Sequence, residues 1–181
     1  MKYDSQKHHR QSIRLHGYDY SQTGGYFLTI VTHDHECLFG DIINGEMVLN
    51  DFGKIVQQEW LKTPKIRPEI KLDNFIVMPN HVHGIIMIID NFGGNRTDLG
   101  AYGGTSLRNL KPKSIGSIMA GFKSVVTKCI NKHRGTPGVP VWQRNYWEHV
   151  IRDEYDLNRI REYIINNPLH WDMDNENPDR L

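Results

Sequence analysis

The 181-residue sequence has only two cysteines, Cys37 and Cys129, and no long apolar run. Two cysteines exclude a disulfide framework and a cysteine-rich zinc site, and we expect both to be reduced, buried and structural. The longest apolar stretch, residues 85–89, is far shorter than the ~20 residues that span a bilayer. No apolar segment follows the basic residues 1–16, so no signal peptide is recognisable. These features predict a cytoplasmic protein without a membrane partner.

The sequence also has almost no net charge, +1 in total, which by itself argues against nucleic-acid binding. The charge is unevenly distributed, however. Residues 91–152 contain ten basic and two acidic side chains, a local charge of +8. The remaining twelve basic and nineteen acidic side chains give −7. This asymmetry keeps nucleic acid among the expected partners.

The hydrophobic pattern predicts strands and helices in the order β, β-hairpin, α, β, β, α, β, α. Asn44-Gly45 marks the hairpin turn, and Pro64 is expected to end the first helix. An apolar stripe over residues 115–130 predicts a long amphipathic helix. Asp153 is a candidate N-cap of the last helix. Helices packed on a mainly antiparallel sheet define an α+β fold class.

No strong boundary divides the chain, and residues 1–181 are expected to form one domain. Residues 1–25 are a polar, basic arm. Residues 91–114 contain five glycines and few apolar side chains, which predicts a long flexible loop. Residues 171–181 are predicted to be an irregular, acidic tail.

Two histidines begin a strand that is apolar on both faces. His81 and His83 are two residues apart, so both imidazoles lie on the same face of the strand. Two neutral imidazoles make half of a divalent-metal site. The alternative is that one is hydrogen-bonded and the other solvated. The position of the pair at the start of a buried central strand favours the metal site, because burying an imidazole without a ligand or hydrogen-bond partner costs free energy.

A tyrosine and an asparagine lie one turn apart on the last helix. Tyr163 and Asn167 share a face because they are four residues apart. Tyr163 could supply a nucleophilic hydroxyl and Asn167 a metal-binding amide oxygen. The alternative is a packed tyrosine and a helix-ending asparagine before Pro168. His149, in a short predicted strand, could face the same site or be a half-buried strand residue.

The string MPNHVHG at residues 78–84, followed by YIINNP at residues 163–168, resembles the single-tyrosine HUH transposases. The resemblance is strongest to the REP-associated tyrosine transposases, which in turn resemble the transposases of a simple class of insertion sequence. Shorter matching segments are YDY at 18–20, YFLT at 26–29, FKS at 122–124 and VWQRNY at 141–146. The resemblance as a whole covers most of the chain, roughly residues 14–171.

The resemblance implies a ferredoxin-like or RRM-like sandwich, in agreement with the predicted order of elements. It implies that His81, His83 and Asn167 bind Mg²⁺ or Mn²⁺ and that Tyr163 is the catalytic nucleophile. The implied activity is cleavage and rejoining of single-stranded DNA next to a hairpin, through a 5′-phosphotyrosine link. Relatives include dimers and monomers, so a homodimer is a possible assembly.

DNA binding is expected in the basic segment, with Lys111, Lys113, Lys123 and Arg144 as candidate phosphate contacts. Four aromatic side chains could stack on bases or pack in the core: Tyr18, Tyr20, Trp142 and Tyr146. Two other functions fit the same residues. One is a hairpin-binding module without catalysis, and the other is a metal-dependent phosphoesterase in which water attacks.

Overall fold

A computed structural model describes residues 18–89 and 111–180. Most of the predicted basic arm (residues 1–25) and most of the predicted flexible loop (residues 91–114) lie outside the described residues.

Within residues 18–89 and 111–180, six strands and three α-helices follow one another. They are β1 (Gly24–Val31), β2 (Gly40–Ile43), β3 (Glu46–Leu49), α1 (Asp51–Ile66), β4 (Ile70–Val77), β5 (His81–Ile88), α2 (Ile115–Arg134), β6 (Trp147–Ile151) and α3 (Glu154–Asn166). Two 3-10 helices, Asn167–Met173 and Pro178–Arg180, come after α3.

The main sheet has the strand order β4-β5-β1-β6. Every pair of neighbouring strands in it is antiparallel, and β5 and β1 occupy the centre. The strands β2 and β3 form a separate hairpin between β1 and α1. Without that hairpin the order is βαββαβ, with a third helix, α3, added at the end. The predicted α+β, ferredoxin-like fold class is confirmed.

One face of the sheet is covered by α1 and α2. Alternate residues of the central strands point to this side, where they join the larger hydrophobic core. Trp60 of α1 is almost fully buried there and lies directly over Gly84 of β5. A β-carbon at position 84 would come within 2.3 Å of the indole, so this approach requires glycine.

The opposite face is covered by α3, and it is the face to which His81 and His83 point. Phe27 and Ile85 of the sheet pack there against Ile160 and Ile164 of the helix. A two-pronged ion pair between Arg161 of α3 and Asp73 of β4, with N–O distances of 2.8 and 2.5 Å, also fastens the helix to the sheet.

Several local signals in the sequence have the predicted structural effect. Asn44 and Gly45 both have positive φ and form the β2–β3 turn. The Asp153 carboxylate accepts a hydrogen bond from the Asp156 backbone N–H and caps α3. In α2 the predicted apolar stripe is buried, and Gly135 ends the helix in the left-handed conformation.

Two predictions about single residues are wrong. Pro64 does not end α1, which runs to Ile66. A proline in the last turn loses only one internal hydrogen bond there, and the Arg67 N–H still closes the turn on the Thr63 carbonyl. Cys37 is exposed and Cys129 only partly buried, because neither lies on a core-facing position.

The acidic segment after α3 is more ordered than its composition predicts. The 3-10 helix Asn167–Met173 packs against α3 and β3, and Asp174 and Asn177 are buried. Their side chains hydrogen-bond to neighbouring backbone groups, which orders a polar segment without an apolar stripe. Among the described residues, no helix combines the length and the apolar character needed to cross a membrane.

Candidate active site

The two histidines of β5 lie side by side beneath α3. Their ring centroids are 4.4 Å apart, and both residues are almost fully buried. Burial lowers the pKa of His81 to about 4. It lowers the pKa of His83 well below the usual value, and the neighbouring His81 adds to that effect. Both imidazoles are therefore neutral at pH 7, the form in which histidine binds a metal.

Asn80 determines which nitrogen of His81 faces the site. The Asn80 amide group donates to the backbone carbonyls of His35 and Glu176, at 3.1 and 2.6 Å. Its oxygen is then directed at Nδ1 of His81, 2.9 Å away, so Nδ1 must carry the proton. The lone pair of His81 is consequently on Nε2, which points into the site.

His83 is held in the same way by the neighbouring strand. Its Nδ1 lies 2.9 Å from the hydroxyl oxygen of Thr29, which is its register partner on β1. Its Nε2 lies 3.2 Å from the phenolic oxygen of Tyr163 on α3. The structure thus brings together a histidine and a tyrosine that are 80 residues apart in the sequence.

The Tyr163 ring lies between the core and the solvent. Its edge meets Phe27, with ring centroids 6.0 Å apart, while 47% of the residue stays exposed. Burial, with the charge of Asp174 as a smaller cause, raises the pKa of Tyr163 to about 12. The phenol is therefore protonated at neutral pH and needs help to act as a nucleophile.

Asn167 is buried at the end of α3, one turn after Tyr163, as its spacing predicts. Its amide group donates to Oδ2 of Asp174 at 2.9 Å. Its own oxygen Oδ1 is buried without a hydrogen-bond partner, and so is Nε2 of His81. A buried acceptor without a donor is costly, which makes both atoms candidates for a missing ligand.

Asp174 is a site residue that the sequence analysis did not identify. Its Oδ2 lies 4.0 Å from Nε2 of His81. His81, His83 and Asp174 offer three buried ligand atoms within 4.8 Å of one another. The only signal in the sequence is an aspartate in a polar segment, seven residues after Asn167, and several acidic residues there look alike.

A cleft of about 1110 Å³ opens over this cluster. Its lining includes His83, Tyr163, Asn167 and Asp174. Its other wall is formed by β6 and the segment that precedes it, from Gln143 to His149. The cleft therefore gives a ligand access to Tyr163 and His83.

The four expected DNA contacts lie outside the lining of this cleft. Lys113 and Arg144 are exposed, and Lys111 forms a 2.5 Å ion pair with Asp19. Lys123 is turned inward, and its ammonium group donates to the carbonyls of Gln143, Arg144 and Asn145. Burial lowers the pKa of Lys123 to about 8. This geometry favours a structural role for Lys123, which holds the wall of the cleft.

The four aromatic candidates for base stacking are mostly core residues. Tyr20 and Trp142 are buried, and Tyr18 and Tyr146 pack against the same core. Of the four, Tyr146 also lines the cleft. His149 does line the cleft, and its Nε2 lies 2.6 Å from a carboxylate oxygen of Asp156.

No family model matches the chain. An uncharacterized protein of Haemophilus influenzae is 45% identical in an alignment of 180 positions that covers 96% of this chain and 96% of the relative. A second protein of that organism, provisionally named a REP-associated tyrosine transposase, is 26% identical over 151 residues. That alignment covers 83% of this chain and 73% of the relative.

A solved structure of a REP-associated tyrosine transposase bound to a REP hairpin has the same fold, with a TM-score of 0.56 at 18% identity. The match covers 86% of this chain and 73% of that one. The chain belongs to one family with the uncharacterized protein of Haemophilus influenzae. It is similar in sequence to the relative that is provisionally named a REP-associated tyrosine transposase, and it has the fold of the solved transposase structure.

Proposed function

We propose that the protein is a metal-dependent single-stranded DNA endonuclease and strand transferase, with Tyr163 as its nucleophile. The observation that carries the proposal is the 3.2 Å contact between the Tyr163 hydroxyl and Nε2 of His83, beside the buried His81. A tyrosine hydroxyl next to two neutral imidazoles is a suitable arrangement for metal-assisted attack on a phosphodiester.

The buried polar atoms fit a divalent cation such as Mg²⁺ or Mn²⁺. Nε2 of His81 and Oδ1 of Asn167 are buried acceptors without donors, and a cation would satisfy both. His83 and Asp174 complete a set of two nitrogen and two oxygen ligands. A site with two imidazole ligands suits Mn²⁺ better than a site with only oxygen ligands would, while Mg²⁺ is the more available ion. When bound, the ion would polarise the scissile phosphate and offset the charge that develops on it.

In the proposed reaction the phenolic oxygen of Tyr163 attacks the phosphorus of the scissile phosphodiester. A bond between this oxygen and phosphorus forms and the bond from phosphorus to the 3′ oxygen breaks. The phenol gives up its proton and the leaving 3′ oxygen takes one up, so no proton is gained or lost overall. The products are a 5′-phosphotyrosine and a free 3′-hydroxyl. Because the phosphotyrosine keeps the energy of the broken phosphodiester, a 3′-hydroxyl can reverse the step without ATP.

The proposed substrate is single-stranded DNA beside a hairpin. The structural relative is described as bound to a REP hairpin, which supports this class. Arg159 lines the cleft and can contact a phosphate near Tyr163. Lys111, Lys113 and Arg144 would contact the phosphates farther from the cleft, and Lys123 would hold the wall rather than the DNA. From the sequence alone we also propose that the protein is cytoplasmic and that residues 1–181 act as one domain.

The arrangement also supports catalysis within one chain. Tyr163 reaches the histidine of its own chain, so a homodimer is not required to complete the site. Mixing a His81→Ala protein with a Tyr163→Phe protein tests this. Restored cleavage in the mixture would mean that the tyrosine of one chain acts on the metal site of another.

The test is incubation of hairpin-flanked single-stranded DNA with Mn²⁺ or Mg²⁺, followed by denaturing electrophoresis. We expect a covalent protein–DNA adduct that disappears in Tyr163→Phe and in His81→Ala. Tyr155→Phe is the matched control, because Tyr155 is an exposed tyrosine of the same helix, outside the cleft lining. An undiminished adduct in Tyr163→Phe would refute the nucleophile assignment.

Two other outcomes would favour the alternatives. Cleavage without an adduct that survives Tyr163→Phe but is lost in His81→Ala would indicate a phosphoesterase in which water attacks. Tight hairpin binding without cleavage under either metal would indicate a binding module. The buried histidines and Tyr163 argue against this module, because binding alone does not require them.

A further inference from the structure

A row of side chains crosses the sheet from the histidines to the cleft wall. The register pairs His83 of β5 with Thr29 of β1, and Thr29 with Trp147 of β6. Residues in register point to the same face, so the Trp147 indole lies on the His83 side of the sheet. Two strand spacings, roughly 10 Å, separate the two positions. This is the scale on which a nucleotide extends from its phosphate to its base.

The Trp147 ring is held by its neighbours. Phe27 and Trp147 form a T-shaped pair with ring centroids 5.5 Å apart, and Phe27 also contacts Tyr163. The His149 ring runs parallel to the indole at 6.0 Å, with 4° between the two planes. His149 is itself fixed by Asp156, so the two rings present a preformed pair of parallel planes.

Trp147 is nevertheless 39% exposed, whereas Trp60 and Trp142 are buried in the core. Its exposed surface lines the same cleft as Tyr163 and His83. An oriented, partly exposed indole in a cleft contributes less to the core than a buried one, and its free surface suits a flat ligand.

We propose that Trp147, backed by His149, is the platform on which a base of the single strand stacks next to the scissile phosphate. The inference deepens the proposed function and rests on it for the identity of the ligand as single-stranded DNA. Stacking on an indole tolerates any base and fixes its distance from the attacking oxygen. Trp147 would therefore act as a positioning residue for the phosphate that Tyr163 attacks.

The test measures binding rather than cleavage, so its result does not depend on the nucleophile assignment. Tyr163→Phe protein is titrated with a hairpin oligonucleotide that carries single-stranded thymidine arms, with one arm position at a time made abasic. We expect one position whose abasic form binds roughly 5- to 150-fold more weakly, the range reported for loss of one base stack. Adding Trp147→Ala should cause a similar loss and abolish the sensitivity at that position. Trp147→Phe should retain most of the affinity and most of the sensitivity to the abasic position.

Tyr155→Ala is the matched control, because it removes an exposed aromatic ring outside the cleft lining and should change neither value. An abasic profile without a sensitive position in the Tyr163→Phe protein would overturn the proposal without any Trp147 variant. An unchanged profile in folded Trp147→Ala would overturn it as well. A failure of the proposed chemistry alone would instead appear as normal stacking without any adduct in the wild-type protein.

Discussion

The side-chain oxygen of Asn80 lies 2.9 Å from Nδ1 of His81, while the Asn80 amide group is held by two backbone carbonyls. If the amide group of Asn80 were flipped, its oxygen would replace its nitrogen opposite the two backbone carbonyl oxygens, and both hydrogen bonds would be lost. The orientation of His81 is therefore set by main-chain atoms of two distant segments, around His35 and Glu176.

Asn80→Ala should weaken Mn²⁺ binding about 10- to 100-fold, because the partner that fixes the orientation of a metal-binding histidine is lost. Isothermal titration calorimetry of the metal-free protein measures the affinity. Asn131→Ala is the control, since Asn131 is also buried and bound to a backbone carbonyl but lies away from the site. Equal losses in the two variants would indicate general destabilisation instead.

Tyr163→Phe should bind Mn²⁺ at least as well as the wild-type protein. The Tyr163 hydroxyl contacts Nε2 of His83, and removing this hydroxyl leaves the nitrogen available to a metal ion. Asp174→Asn should instead weaken binding, because it removes the only carboxylate of the cluster. The same calorimetric titration separates the two cases. Weaker binding in Tyr163→Phe would mean that the phenolic oxygen is itself a ligand.

Lowering the pH from about 6.5 to about 4 should destabilise the metal-free protein. In the unfolded chain His81 takes up a proton below its usual pKa of 6.5, whereas in the fold its pKa is about 4. The pKa of His83 is shifted in the same direction. The unfolded state therefore binds more protons in this window, and the free energy of unfolding falls as the pH decreases. The loss is at most about 1.4 kcal/mol per pH unit for each imidazole.

Urea denaturation with EDTA across this pH range measures that slope. A His81→Gln and His83→Gln double variant should have a flatter profile. His133→Gln, which changes a half-exposed histidine, should keep the wild-type slope. Identical slopes in all three proteins would exclude the two buried imidazoles as the cause.

Gly84→Ala should destabilise the fold by about 1–3 kcal/mol, because the new methyl group would meet the buried Trp60 ring at 2.3 Å. Gly121→Ala is the opposite case. No atom lies within 4 Å of a β-carbon at position 121, so this change within α2 should stabilise by about 0.5–1 kcal/mol. Thermal or urea unfolding of both variants tests the pair, and effects of the same sign would contradict it.

Local rules were sufficient for much of the fold. The Asn44-Gly45 turn, the Asp153 cap and the apolar stripe of α2 each depend on residues within a few positions of one another. The face shared by His81 and His83 follows from strand period alone. Pro64 shows the limit of such rules, because tertiary packing carries α1 past a residue that usually stops a helix.

The site was only partly predictable for the same reason. Its histidines and Tyr163 lie in recognisable motifs. Asp174 lies in a polar segment, and no hydrophobic pattern there predicts that the segment is buried against the histidines. Charge counting also has a limit. Lys123 adds a charge to the basic segment, yet its ammonium group donates hydrogen bonds to backbone carbonyls of Gln143 and Asn145.

The site draws its parts from positions far apart in the order of synthesis. The histidines lie near the middle of the sequence, but Asn80 hydrogen-bonds to the carbonyl of Glu176, and the buried carboxylate belongs to Asp174. A ribosome-bound chain from which residues 174–176 have not yet emerged can pair β1 with β5 but cannot bring Asp174 to His81 and His83. The three ligand atoms should therefore come together only after the segment through Glu176 has been synthesised and released.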